Sequence, residues 1–168
     1  SSINFEIGEF VKKLKIRKNE IIEVTIVGNS TMRDLFFSLN VEPIGVKPYK
    51  SIIETAYLEE KLPSTEMVVK AKDINLRIHS EALIYSPPLI ASHIGSDVSA
   101  GLIATDFFHN NKMKMLIDIG TNTEVVLGTP DKMLAASCPA GPAFEGGEIT
   151  FGMPGYDGAI EKVDFNKN

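Results

Sequence analysis

The chain has 168 residues, of which 43% are hydrophobic and 23% are charged, a composition typical of a folded globular protein. Its net charge of −5 argues against nucleic acid as a partner. No apolar run approaches the roughly 20 residues of a membrane span, and no signal peptide precedes the first helix, so we expect no membrane partner and a cytoplasmic location. The single cysteine excludes an internal disulfide and a cysteine-ligated iron–sulfur cluster within this chain.

The first predicted elements are a helix, a strand and a second helix. Apolar residues at helical spacing predict a helix over residues 5–14. The β-branched run Ile21–Val27 predicts a strand buried on both faces. A glycine-containing turn then leads into a helix over residues 31–39, for which either Asn29 or Ser30 can serve as the N-cap.

The middle of the chain is less regular because prolines interrupt its pattern. Residues 41–65 predict an irregular excursion with one short helix near residues 51–60. Further predicted elements are strands over residues 67–71, 74–78 and 83–85, and a helix from residue 96 or 97 to about residue 107.

The second half of the chain predicts a β-hairpin. Met113–Asp118 forms a predicted buried strand, Glu124–Leu127 forms its partner, and the glycine-bearing turn lies between them. Residues 133–136 predict a further strand. Residues 140–147, rich in small side chains, predict a loop that enters a helix near Gly146.

The hairpin turn carries the residues best suited to phosphate chemistry. Gly120 allows successive N–H groups to converge on an anion, and Thr121, Asn122 and Thr123 add short donors beside it. Asp118 stands where Mg²⁺ bridging phosphate oxygens needs a carboxylate, directly or through water. The alternative is a hairpin with an Asx-type turn in which Asp118 accepts local N–H bonds, and these residues alone favour neither reading.

Two further segments are candidate sites with strong structural alternatives. Gly146 and Gly147 would allow close approach of a ligand to the backbone, although the pattern taken alone favours a flexible connection that needs glycine only for its bends. Asp97 opens the helix after residue 95, as an N-cap or an acid of the first turn, and the pattern favours the reading in which it only caps that helix.

The order of these segments resembles that of the actin, sugar-kinase and heat-shock-chaperone ATPases. Residues 118–124, Asp-Ile-Gly-Thr-Asn-Thr-Glu, look like the second phosphate-binding hairpin of that superfamily. The segments GNSTM (28–32), DIGTNTE (118–124) and AGPAFEG (140–146) are most similar to the reductive activators of corrinoid proteins. The chain is therefore identified as resembling an internal piece of the ATPase domain of such an activator.

The resemblance implies an α/β fold of the actin-like (ribonuclease H-like) type, with parts of two lobes. Residues 1–90 would end the first lobe with an irregular insertion, and residues 91–168 would supply the interlobe helix and the start of the second lobe. Asp97 and Asp118 would be catalytic, with Asp118 supporting Mg²⁺ through water. The remaining implied site residues are Gly120, Thr121, Asn122, Thr123, Gly146 and Gly147 for phosphate and nucleotide, and Gly28, Asn29, Ser30 and Thr31 between the lobes.

The implied function is ATP-dependent return of Co(II) corrinoid proteins to Co(I), with ATP and Mg²⁺ as cofactors and a corrinoid protein as partner. An iron–sulfur module would lie outside this chain, a homodimer is a further implication, and the segment by itself is expected to be inactive. Two alternatives stay open: an activator of the dehydratase type, to whose cluster Cys138 could contribute a ligand, and a non-catalytic interaction domain of the same fold.

Overall fold

The computed structural model describes residues 2–120, 122–140, 150, 153 and 157–159. The chain separates into two compact units, residues 1–109 and residues 110–168, each with its own small sheet. Within the described residues the helices are α1 (Ser2–Leu14), α2 (Ser30–Phe36), α3 (Glu42–Gly45), α4 (Ile52–Leu58) and α5 (Ser96–Ala104), and the strands are β1 (Glu23–Thr25), β2 (Met67–Lys70), β3 (Leu83–Ser86), β4 (Lys114–Ile119), β5 (Asn122–Thr129) and β6 (Lys132–Pro139).

The first unit is built on a mixed three-stranded sheet with the order β1-β3-β2. β1 runs parallel to β3, whereas β2 runs antiparallel to it, and Ile84 in the central strand faces Val24 on one side and Val69 on the other. Ile84 is fully buried because its side chain lies on the face of β3 that packs against the apolar core, whereas Leu83, which points to the other face of the same strand, is 49% exposed. The apolar cluster around it comprises Phe37, Ala71, Leu76, Ala82 and Ile84.

Helix starts in the first unit follow the capping signals of the sequence. The Asn29 side chain accepts a hydrogen bond from Met32 N at 2.9 Å, which confirms Asn29 as the N-cap of α2. Ser51 caps α4 in the same way by accepting from Ile53 N at 3.2 Å. The predicted helices over residues 5–14, 31–39, 51–60 and 96–107 are thereby confirmed as elements, each ending within a few residues of its predicted end.

Two expectations for the first unit are wrong. The run Ile21–Val27 is not buried on both faces, since Glu23 and Thr25 are exposed and Val24 is half-buried. Among the described residues β1 has a neighbouring strand on one side only, and its inward face alone meets the core. Residues 74–78 form no strand: a 3₁₀ helix over Ala71–Ile74 is followed by Asn75 in the left-handed region at φ 55°, which turns the chain.

The second unit is an antiparallel meander with the order β4-β5-β6. The predicted hairpin is confirmed, with Leu116 opposite Val126 and Ile119 opposite Thr123. Val126, in the central strand, is buried to 1% exposure. The expectation that the first strand of the hairpin is buried is wrong, because the Met115, Ile117 and Ile119 side chains are exposed and β4 pairs only with β5 among the described strands.

Candidate functional site

The turn of the β4–β5 hairpin is tight and partly closed by its own backbone. Ile119 and Thr123 are the last cross-strand partners, and Gly120 N donates to Asn122 O at 2.9 Å. Thr121 lies outside the described residues. The Gly120 amide, which the sequence pattern assigned to phosphate, is therefore occupied in this conformation, and a phosphate would have to displace the Asn122 carbonyl to reach it.

Behind the turn, one face of the meander carries two acidic side chains side by side. Asp118 faces Glu124 across the hairpin, and Glu124 in turn faces Ser137 on β6. Ser137 Oγ donates to Glu124 Oε1 at 2.8 Å, which holds that carboxylate in place. Like charges directly opposite one another in an antiparallel pair are destabilising, and a bound cation would remove that cost.

The Asp118 carboxylate is exposed and has no hydrogen-bond partner among the described residues. The Asx-type alternative, in which this carboxylate accepts local N–H bonds, stays open, since Thr121 of the turn lies outside the described residues. The described residues also contain no cluster of three or more His, Cys, Asp or Glu side chains that could hold a metal ion by themselves. A cation at Asp118 would consequently take most of its ligands from water and from a bound phosphate.

Cys138 lies on the other side of β5 from Asp118. It is the cross-strand partner of Thr123, is exposed, and has its Sγ 3.5 Å from the Thr123 carbonyl oxygen. The thiol is thus next to the predicted phosphate-binding segment. Its role as an iron–sulfur ligand stays a prediction.

In the first unit, the turn at residues 28–31 packs against the start of α5. Ser96 N donates to Gly28 O at 3.0 Å, and Gly28 N donates to Ser96 Oγ at 3.2 Å. Ser30 Oγ adds a 3.5 Å hydrogen bond to Ala91 O. The turn at residues 28–32 and the start of the helix that carries Asp97 are far apart in the sequence, and backbone and hydroxyl groups thereby join them.

Gly95 makes this junction possible because no side chain fits there. A Cβ at residue 95 would lie 2.5 Å from Asn29 Cα and closer still to the Gly28 carbonyl oxygen. The carbonyl of Gly28 also occupies the first amides of α5, so that helix terminus is closed by protein and offers no open anion site. The interlobe role of Gly28, Asn29, Ser30 and Thr31 stays a prediction.

Asp97 acts within its own helix turn. Its Oδ1 accepts a hydrogen bond from Val98 N at 2.9 Å, and the residue is half-buried. Gly95 is the N-cap of α5 and makes no side-chain cap, so Asp97 is an acidic residue of the first turn and not the cap of this helix; its catalytic role stays a prediction. Asp97 belongs to the first unit and Asp118 to the second. Gly146 and Gly147 lie outside the described residues.

A buried charged pair in α2 was not predicted from the sequence. Arg33 and Asp34 are both 0% exposed, and Arg33 Nη2 lies 3.0 Å from Asp34 Oδ1. Ser51 Oγ donates to Asp34 Oδ2 at 2.6 Å, and Arg33 Nη1 donates to Thr65 O at 2.8 Å. The network ties α2 to the N-terminus of α4 and to the segment before β2. Of the residues in this network, the sequence pattern pointed only to Ser51, at the start of the helix predicted near residues 51–60.

Comparisons with known proteins divide the chain at nearly the same place as the structure does. A family model described as the RACo middle region matches residues 1–110, and a model described as the C-terminal domain of RACo, the ASKHA domain, matches residues 112–168. This chain is therefore an α/β protein in which a RACo middle region is followed by part of an actin-like domain. The predicted division at residue 90 stays a prediction.

Individual relatives agree with the family models. The corrinoid activation enzyme RamQ of Eubacterium limosum is 35% identical over 157 residues, which cover 94% of this chain and 24% of that protein. A [Co(II) methylated amine-specific corrinoid protein] reductase of Methanosarcina barkeri is 41% identical over 81 residues, 48% of this chain and 15% of the reductase. A solved structure of a reductive activator for corrinoid, iron–sulfur protein matches 98% of this chain and 25% of its own with a TM-score of 0.77 and 32% identity.

The chain belongs to the RACo family of reductive activators of corrinoid proteins. It spans a quarter or less of the length of the relatives that it matches. Among the described residues, no helix is both long enough and apolar enough to cross a membrane.

Proposed function

We propose that this chain is part of an ATP-dependent activator that returns Co(II) corrinoid proteins to Co(I). The relatives named as corrinoid activators support the reaction, and the match of residues 112–168 to an ASKHA domain supports the use of ATP and Mg²⁺. The observation that carries the proposal is the DIGTNTE hairpin, where an exposed carboxylate without a partner among the described residues stands at the base of a tight turn. An iron–sulfur module outside this chain, a cytoplasmic location and a homodimer belong to the same proposal.

The hairpin fits a phosphate-binding role in part. Asp118 would hold Mg²⁺ through water, and Asn122 and Thr123 would donate to phosphate oxygens. Gly120 would contribute its amide only after its bond to Asn122 O opens. The ASKHA match begins two residues before β4, directly after the middle region. This position favours β4–β5 as the first phosphate-binding hairpin of its domain, whereas the resemblance had implied the second.

The proposed coupling is thermodynamic. Bound nucleotide can shift a conformational equilibrium only by the difference in its affinity for the two states. Moving such an equilibrium from 1:99 to 99:1 requires about 5.5 kcal/mol, which lies within the binding energy of a nucleotide held by several charge-assisted contacts. The role of the hairpin is then to bind the phosphates more tightly in the state that accepts the corrinoid partner.

The test compares Asp118→Ala with a matched control at the other end of the same meander. Asp131, in the β5–β6 turn, is also exposed and accepts from Asn111 Nδ2 at 3.3 Å, so Asp131→Ala removes the same charge away from the proposed phosphate site. In a full-length form of the protein, we expect Asp118→Ala to abolish Mg²⁺-dependent ATP binding, measured by calorimetry, and ATP-dependent reduction of Co(II), followed by absorbance. Asp131→Ala should retain both activities.

The outcomes separate the alternatives. Unchanged ATP turnover in Asp118→Ala would remove this carboxylate from the site, and an absence of ATP binding by the wild-type protein would favour a non-catalytic interaction domain. Iron bound through Cys138, seen as a loss of iron in Cys138→Ser, would favour an activator of the dehydratase type.

A further inference from the structure

Glu124 lies on the same face of the second sheet as Asp118 and directly across the hairpin from it. Side chains directly opposite one another in an antiparallel pair have Cβ atoms about 4.5–5.5 Å apart. Both carboxylates can therefore act on the same small volume behind the turn. In the described part of the chain, no basic side chain forms an ion pair with either of them, so their two negative charges stand together without a cation from the protein.

Ser137 fixes the direction of the Glu124 carboxylate. Its Oγ, on the neighbouring strand β6, donates to Glu124 Oε1 at 2.8 Å. Glu124 and Ser137 are both half-buried, whereas Asp118 is exposed. Partial exclusion of water strengthens the field of a charge. A carboxylate that is held in one place at the base of the turn therefore acts at a constant distance on any ion that binds there.

A pair of carboxylates at a phosphate-binding turn discriminates between two forms of the same ligand. Nucleotide without a metal is strongly anionic, and each carboxylate repels it. Nucleotide that carries Mg²⁺ presents a hard cation, which carboxylates and the water held by them attract. One unit charge several ångströms from a partly solvated ion changes a binding constant on the order of tenfold.

We propose that Glu124, held by Ser137, makes nucleotide binding at this hairpin depend on Mg²⁺. Asp118 supports the hydrated ion, and Glu124 adds the second negative charge, which attracts the metal-bound nucleotide and repels the metal-free one. Ser137 is a positioning residue that acts through Glu124. The inference rests on the proposed function, because it requires that the hairpin binds phosphate.

The test measures the dissociation constant for ATP by calorimetry, once with Mg²⁺ and once with EDTA, in a full-length form of the protein. Glu124→Gln removes the charge and keeps an oxygen that accepts from Ser137. We expect the constant with Mg²⁺ to rise about tenfold and the constant in EDTA to fall, because attraction and repulsion are lost together. The midpoint of thermal unfolding without ligand should not fall, since one of two opposed like charges is gone.

Two variants of Ser137 and one control complete the test. Ser137→Ala should change both constants in the same directions as Glu124→Gln but by a smaller factor, about threefold with Mg²⁺. Ser137→Thr keeps the hydroxyl and should restore the wild-type constants. Asp131→Ala removes a negative charge at the other end of the meander and should leave both constants unchanged.

The failure of this inference can be told apart from the failure of the proposed function. If Glu124→Gln has wild-type constants in both conditions, or if it raises both by the same factor, Glu124 does not set the dependence on Mg²⁺, although the hairpin still binds ATP. If Ser137→Thr fails to restore what Ser137→Ala loses, the positioning role is wrong. If the wild-type protein binds no ATP, the proposed function fails and this inference fails with it.

Discussion

Replacing Gly95 by alanine should strongly destabilise the first unit. Carbon atoms in contact prefer separations of about 3.5–4.0 Å, whereas the added Cβ would lie 2.5 Å from Asn29 Cα. The turn at residues 28–29 would therefore have to move by about 1 Å, which strains or breaks the two hydrogen bonds between Gly28 and Ser96. Overpacking costs about 1–3 kcal/mol and each lost hydrogen bond about 1 kcal/mol, so we expect a loss of about 2–5 kcal/mol.

Urea denaturation followed by circular dichroism measures this loss, and amide hydrogen exchange of α2 and α5 assigns it to the junction. Gly45→Ala is the matched control, because a Cβ added to Gly45 in α3 would meet no atom within 4 Å and alanine has the higher helix propensity. That variant should be neutral or slightly more stable. A Gly95→Ala protein within about 0.5 kcal/mol of the wild type would refute the close approach of these two backbones.

Two other predictions concern charged groups. Asp34→Ala should lower the free energy of unfolding by about 3–5 kcal/mol, because it leaves the Arg33 guanidinium buried without its carboxylate. The double variant Arg33→Met with Asp34→Leu should lower it by less, since it removes both charges. Equal losses for the two variants in urea denaturation would contradict this reasoning. Hydrogen bonds from Lys70 and Lys72 lower the pKa of Glu81 to about 2, and a carbon-13 NMR titration should find its midpoint there. Because the pKa of Glu81 in the folded protein lies below the ordinary value of 4.5, its stabilising contribution is present above pH 4.5 and is lost as the pH falls towards 2. A titration midpoint of Glu81 near 4.5 would rule out its pairing with Lys70 and Lys72.

Much of the local structure could be predicted because neighbouring residues encode it. The Asn29 cap, the Ile119–Thr123 turn and the helical spacing of α1 each depend on groups within a few positions of one another. Strand burial could not be predicted in the same way. The run Ile21–Val27 and the β4 strand are both rich in β-branched or long apolar residues. In the described part of the chain, however, each pairs on one side only, and the position of a strand in a sheet depends on distant strands.

The candidate site likewise has some features that neighbouring residues encode and others that depend on the tertiary structure. Three short motifs in order along the chain, residues 28–32, 118–124 and 140–146, indicated the family, because each of them is contiguous and can be read without the tertiary structure. The occupied Gly120 amide and the Asp118–Glu124–Ser137 row became visible only with the pairing of β4, β5 and β6. Charge and hydrogen bonding at the turn depend on cross-strand register, which a single segment does not reveal.

The sequence by itself determined where helices and turns begin, and which family carries these motifs, because both depend on short stretches of neighbouring residues. Tertiary structure decided that Gly28 meets Ser96 across 68 positions of the chain and that Arg33 and Asp34 are buried while Leu35 beside them is 52% exposed. The physical reason is that burial and backbone contact are properties of packed surfaces, and packing brings together residues that have no relation along the chain.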